Sequence, residues 1–223
     1  MPTFLLIRHG ENEYVKTGKL AGRLPGVHLN ERGHQQAAKL AKALKDAPIS
    51  AVYSSPMDRT METAEPIADA LNQDVIVRKG LLELDFGKWQ DKKLSKLRKK
   101  ELWKTVQSAP SHMRFPDGES FAEAQLRAAN ELKNLAAQHD DRELVVCVGH
   151  SDLIKLIVAY FIGLPLDQFQ RLMISTASIT TLFVGKSGAF LINMNHSVEP
   201  PKFPKPPQQK KAEPEKGKKK KKS

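Results

Sequence analysis

Cysteine is almost absent. Cys147 is the sole one, so no intramolecular disulfide can staple the chain, and a hydrophobic core must hold it. Its place in the apolar run Leu144-Val145-Val146-Cys147-Val148 marks it as a buried, inert thiol. Long hydrophobic runs are also missing. The most apolar region, Leu144 to Leu164, is broken by Gly149, His150, Ser151, Asp152 and Lys155, which argues against a membrane span. The apolar stretch after Met1-Pro2-Thr3 is too short for a secretory signal, so a reducing, cytoplasmic setting is expected. Acidic residues are outnumbered, 25 against 36 Lys and Arg, for a net charge of +11. Residues 201 to 223 hold ten lysines and two glutamates, +8 of that +11, which leaves +3 for residues 1 to 200. The body is therefore only mildly basic, and any polyanion-binding character belongs to the tail.

What remains is a chain of short apolar strands alternating with amphipathic helices. Phe4-Leu5-Leu6-Ile7 reads as a buried strand and Glu13 to Leu29 as a loop. Asn30 caps a helix that Pro48 terminates. Ile49 to Tyr53 is a second strand, followed by a helix from Pro56, in its first turn, to about Leu71. Val75 to Val77 is a third strand, Asp91 to Gln107 a basic helix, and Pro110 to Gly118 a loop. A helix then runs to about Gln138, a strand follows at 144 to 148, and a helix runs from Ser151 to about Ile162. Ile179 to Val184 and Ala189 to Met194 form a hairpin about Gly185-Lys186-Ser187-Gly188. This alternation predicts an α/β fold of three layers, α/β/α, with a mainly parallel sheet and an antiparallel hairpin at one edge. Residues 1 to 199 are expected to form one domain, and 200 to 223, Pro- and Lys-rich and nearly free of aliphatics, a disordered tail.

Two strand ends carry polar chemistry. Phe4 to Ile7 runs into Arg8-His9-Gly10, and Leu144 to Val148 runs into Gly149-His150-Ser151. Ligands of open α/β sheets bind at such carboxyl ends. Two histidines suggest a metal, but Arg8 and Arg59 would repel a divalent cation and attract an anion, and the guanidinium fork matches phosphate oxygens. Cationic neighbours also depress a histidine pKa, which keeps an imidazole neutral as a nucleophile requires. Glu83, between Leu82 and Leu84, suits a proton donor because apolar surroundings raise a carboxyl pKa. The alternative is a loop carboxylate paired with Lys88 or Arg78.

These residues fall within motifs that resemble the histidine phosphatase (phosphoglycerate mutase-like) superfamily. Phe4 to Gly10 resembles its signature, Gly22 to Gly33 the loop into its first helix, and Ser54 to Ala64 its second motif. Leu82 to Trp89 resembles the segment of the proton donor, Phe115 to Ser120 a loop before a helix, and Val148-Gly149-His150 the second histidine motif. The resemblance runs over roughly residues 3 to 196. It implies a phosphoglycerate mutase-like fold and a phosphohistidine on His9. Arg8, Arg59 and His150 would bind the phosphoryl group, and Glu83 would act as proton donor and then acceptor. It implies no metal and no organic cofactor. The family often has Ser or Thr where Asn12 stands, whose amide can still bind phosphate. Mutases usually carry Asn three residues further on, where this chain has Val15. Ser151 replaces a common glycine; its backbone N–H would face the anion, or it simply caps the helix.

The expected activity is thus hydrolysis of a small phosphorylated metabolite. A phosphomutase is the alternative, and a non-catalytic polyanion-binding protein the third reading. Arg23, His28 and Arg114 are candidates for contacting the rest of the substrate. Lys92 to Lys104, basic with Leu94, Leu97, Leu102 and Trp103 interleaved, is read as a solvated face rather than a basic roof. His34, His112, His139 and His196 are read as surface or loop residues. The tail is expected either to contact RNA or acidic surfaces weakly or simply to solubilise the chain. The sequence gives no interface signal, and the oligomeric state stays open.

Overall fold

The computed structural model describes residues 2–185 and 188–198; the expected disordered tail and two residues of the hairpin turn lie outside them. Strand β1 (Thr3–Arg8) has apolar residues on both faces because both are covered. Phe4 and Leu6 enter one core cluster, Leu5 and Ile7 the other. Strands β2 (Ile49–Ser54) and β4 (Leu144–Gly149) divide their side chains in the same way. The period of two sends alternate residues to opposite faces, so a continuous apolar run is the signature of a doubly covered strand.

Among the described residues six strands form one sheet in the order β3-β2-β4-β1-β5-β6. β3 (Val75–Val77) pairs parallel with β2, β2 with β4, and β4 with β1. β5 (Ser178–Gly185) runs antiparallel to β1, and β6 (Gly188–Ser197) antiparallel to β5. Helices α2 (Glu31–Leu44) and α3 (Asp58–Ala70) cover one face. Helices α6 (Phe121–Ala136) and α7 (Ser151–Phe161) cover the other. The three-layer expectation is met, with the hairpin at one edge.

The helix starts follow capping chemistry. The Asn30 side chain accepts from Gly33 N–H at 2.9 Å, and Ser120 forms a reciprocal capping box with Glu123. Three expectations need correction. Glu13 to Leu29 is not all loop: α1 (Glu13–Thr17) sits between an Asn12 cap and left-handed Gly18. Asp91 to Gln107 is not one helix but α4 (Leu94–Leu97) and α5 (Glu101–Ser108), separated at Arg98-Lys99-Lys100. Pro56 lies just before α3 rather than inside its first turn. A third cluster, including Phe86, Trp89, Val106, Phe115, Phe121 and Phe169, joins these short helices to α6 and α7. Among the described residues no helix is long and apolar enough to cross a membrane.

Candidate active site

The register of the sheet brings the two histidine motifs together. Arg8 pairs with Gly149 across β1 and β4, and His9 N–H donates to Gly149 O at 3.0 Å. The His9 and His150 rings meet edge to face with centroids 5.4 Å apart. Gly10 makes the turn possible: a Cβ there would lie 2.7 Å from Gly33 O, at the start of α2. Gly10 N–H donates to Thr63 Oγ1, and Glu11 N–H to Gln36 Oε1. The His9 loop is thereby fastened to both helices of that face.

Hydrogen bonding settles both tautomers. His9 Nδ1 lies 2.7 Å from Gly10 O, which can only accept, so Nδ1 carries the proton and Nε2 keeps its lone pair. His150 Nδ1 accepts from Arg59 Nη2 at 3.1 Å, so its Nε2 carries the proton and donates to Ser55 Oγ at 2.9 Å. Burial first, then Arg59 and other cationic or histidine neighbours, holds both imidazoles well below the usual histidine range. Burial thus contributes more than the cationic neighbours that the sequence suggested.

The guanidinium groups are held by carbonyls and left with spare donors. Arg8 Nη1 donates to Ile174 O, and Arg59 Nη2 to Gly22 O, each at 2.7 Å. Arg8 Nε, Arg59 Nε and Arg59 Nη1 are buried with no hydrogen-bond partner. Burial lowers the pKa of Arg59 to about 10 and depresses that of Arg8. Orphaned buried donors cost about 1–3 kcal/mol each, and Arg8 and Arg59 line one cavity with His9, which suits that cavity to an anion.

Glu83 lines the same cavity. It does not pair with Lys88 or Arg78, which hold Asp117 and Glu131 instead. Burial, reinforced by Asp152, pushes its carboxyl up to about 7, against the pull of Leu84 N–H, Arg59 and Arg8. Asn12 is buried at the rim, and its Oδ1 accepts from Val15 N–H as the α1 cap, which leaves its amide donors. Ser151 also lines the cavity, but the cap position of α7 belongs to His150, and Ser151 Oγ lies 3.5 Å from Ile174 O.

Other candidates are used elsewhere. Arg23 does not line the cavity; its Nε donates to Glu83 O at 2.8 Å, and its Nη2 pairs with Glu119. Arg114 is engaged by Glu123 and Gly118 O, and His28 by Glu62, all away from the cavity. His139 is not a plain surface residue, since its Nδ1 contacts Glu143 and its Nε2 lies 2.9 Å from the Tyr53 hydroxyl. The lysines of Lys92 to Lys104 face solvent, while Leu94, Trp103 and Val106 face the cavity.

The sequence reading missed the frame behind Glu83. Arg127 Nη1 donates to Gly80 O and Leu82 O, both at 2.9 Å, and Arg127 bonds both Glu119 carboxylate oxygens at 3.0 Å. Glu119 also accepts from Asp85 N–H. Glu119 sits within the Phe115 to Ser120 motif, which offered a place to look; Arg127 carried no such sign. Among the described residues no group of three or more His, Cys, Asp or Glu side chains is placed to hold a metal ion.

A parallel sheet whose central strands end in paired neutral histidines and buried arginines defines a phosphoryl-handling α/β enzyme. The chain belongs to the histidine phosphatase superfamily (branch 1), matched over residues 4–197. It is 29% identical over 197 residues to phosphoserine phosphatase 1 of Hydrogenobacter thermophilus, covering 87% of this chain and 92% of that protein. It is 32% identical over 178 residues to a probable phosphoglycerate mutase, GpmB, of Erwinia tasmaniensis, covering 78% and 81%. The crystal structure of phosphoserine phosphatase from Entamoeba histolytica in complex with 3-phosphoglyceric acid superposes with a TM-score of 0.81 at 27% identity, covering 88% of this chain and 98% of that one.

Proposed function

We propose that the protein hydrolyses a small phosphomonoester through a phosphohistidine on His9. The observation that carries this is the set of unpartnered donors of Arg8 and Arg59 around an imidazole whose Nε2 lone pair is free. The phosphoryl oxygens would accept from those guanidinium nitrogens and from Asn12, and the His9 lone pair would attack phosphorus. As the N–P bond forms, the P–O bond to the leaving group breaks, and Glu83, neutral below about pH 7, gives its proton to the departing oxygen. In the second half, ionised Glu83 takes a proton from water, whose oxygen attacks phosphorus. The N–P bond breaks, and inorganic phosphate leaves. The sequence uses protein side chains throughout, and the negative charge on the phosphoryl oxygens is met by the buried guanidinium groups.

The mutase reading is supported by the GpmB relative. The cavity favours hydrolysis, since it is lined by Val15 where mutases of the family usually carry Asn. The test is a pulse of 32P-labelled ester, quenched and resolved on an acid-labile phosphoprotein assay. Label on the wild type that chases into inorganic phosphate, and none on His9→Ala, is expected. Label that returns to a sugar acid instead would make the protein a mutase, and full turnover by His9→Ala would refute both.

A further inference from the structure

Beyond the phosphoryl end, the cavity of ≈ 270 Å³ has an apolar wall built before any ligand arrives. Phe86, Trp89, Phe115 and Phe121 are each at most 4% exposed and pack in the third core cluster. Phe115 meets Phe86, Trp89 and Phe121 edge to face, and Trp89 stacks on Trp103 at 6.2 Å with an interplanar angle of 16°. The wall is thus a rigid aromatic lattice, with Leu20 and Leu94 completing it.

The charges around that wall are spoken for. Lys19 Nζ lies 2.9 Å from Asp91, and Asp152 pairs with Lys155 at 3.0 Å. Apart from Arg8 and Arg59, Lys19 is the sole cation among the described residues that line the cavity. The lysines of the 92–104 segment, although near in sequence, are not part of the lining. Beyond the aromatic rings, Asp152 and Glu83, a carboxylate or second phosphate on the leaving group would meet neutral Tyr14, Gln107, Ser151 and Gln170, and Lys19, which Asp91 already holds, so it would leave water without an unengaged partner of opposite sign.

From this wall we infer the substrate class: a phosphomonoester of an alcohol whose body is uncharged, apolar and about one ring in size. Amino-acid phosphates and phosphorylated sugar acids fit poorly. The inference rests on the phosphatase reading and sharpens it. The volume lies just below the usual range of ligand pockets, about 300 to 1,000 Å³, and the cavity opens to solvent, so its enclosed part suits about one ring and the phosphoryl group. Adding apolar groups to a leaving group in such a chamber raises kcat/KM by about tenfold or more.

The test measures kcat/KM of the full chain for benzyl phosphate, ethyl phosphate, phosphoserine and 3-phosphoglycerate. All four release strongly basic alkoxides, so recognition rather than leaving ability sets the order. Benzyl phosphate is expected to exceed each of the others by about tenfold or more. Phosphoserine or 3-phosphoglycerate equal to or above benzyl phosphate overturns the inference and leaves the phosphatase reading standing. Benzyl phosphate no better than ethyl phosphate overturns it too. Turnover of none of the four refutes the phosphatase reading itself. A second arm uses Gln107→Arg, an exposed position of α5 that lines the cavity. Supplying the missing cation should raise the phosphoserine to benzyl phosphate ratio about tenfold. An unchanged ratio in a folded variant would show that the absent cation is not what excludes the carboxylate, and would overturn the inference.

Discussion

Replacing Glu83 by Gln separates the energetic cost of this site from its chemistry. Gln has the shape of the protonated carboxyl, and its amide oxygen can keep the bond from Leu84 N–H, 3.0 Å in the wild type. Raising a carboxyl from 4.5 to about 7 on folding penalises its ionised form by roughly 3 kcal/mol. The folded pKa lies above the unfolded one, so the associated stability is fully present below about pH 4.5. It is lost as pH rises through about 7. Urea denaturation at pH 5 should therefore show Glu83→Gln and wild type within about 1 kcal/mol. At pH 8 the variant should be more stable by up to roughly 3 kcal/mol. The same variant should lose hydrolysis of alkyl phosphates by about 10²–10⁴-fold, the usual worth of a general acid. It should also lose the alkaline fall in kcat/KM near pH 7. Equal stability differences at pH 5 and pH 8 would refute the claim that burial holds Glu83 neutral. An intact alkaline limb would refute its role as the acid.

Arg59→Met removes two orphaned donors together with the charge. kcat/KM should fall by about 10²–10³, while stability to urea changes by no more than about 1 kcal/mol, since relief of the two orphaned donors offsets the loss of the bonds to Gly22 O and His150 Nδ1; a large loss of stability would make Arg59 a structural residue instead. Glu119→Gln weakens the carboxylate that Asp85 N–H, Arg23 and Arg127 share, and so loosens the backbone carrying Glu83. Turnover of an alkyl phosphate should fall by about tenfold, while p-nitrophenyl phosphate, whose leaving group needs no proton, should be nearly unaffected. Equal losses on both substrates would show that Glu119 supports the fold at large rather than the position of Glu83.

The parts of the site that could be read from the chain are those in which local pattern and topology coincide. Two apolar strands that each end in a Gly–His or His–Gly step must end on the same edge if the sheet is parallel, and β1 and β4 prove to be direct neighbours. Arg59 and Glu83 could be placed because each follows a short strand or an apolar turn within a motif. Arg127 could not, because its carbonyl partners Gly80 and Leu82 lie more than forty residues away along the chain. Helix α1 has both its caps in plain view, Asn12 and Gly18, but five residues are too few to show a helical period. The segment from Asp91 to Gln107 misled for a different reason. Charge density along a sequence says nothing about which side of a short helix meets the cavity, and the break at Arg98-Lys99-Lys100 turns Leu94, Trp103 and Val106 inward together.

The arrangement also explains why His9 and His150 sit at strand ends, with Arg59 in the first turn of α3 and Glu83 in a turn braced by Arg127 and Arg23, and not on unsupported loops. The proposed mechanism asks that His9 and His150 stay neutral, that Glu83 stay protonated until it is used, and that two guanidinium groups hold donors that no other protein group satisfies. Each of these states is unfavourable in water-exposed, flexible surroundings, where donors find solvent and carboxyls ionise. Here the backbone enforces them: His9 N–H and Ser55 N–H both bond to β4, Arg8 O receives Ala177 N–H, and Arg8 and Arg59 are pinned by the carbonyls of Ile174 and Gly22. The central strands are held on both faces by clusters of side chains that are almost wholly buried. Moving any one of these groups to a more comfortable place would therefore disturb the core. Rigidity of the sheet is what lets an anion find its donors already aimed, with little left to reorganise when charge develops on the phosphoryl oxygens.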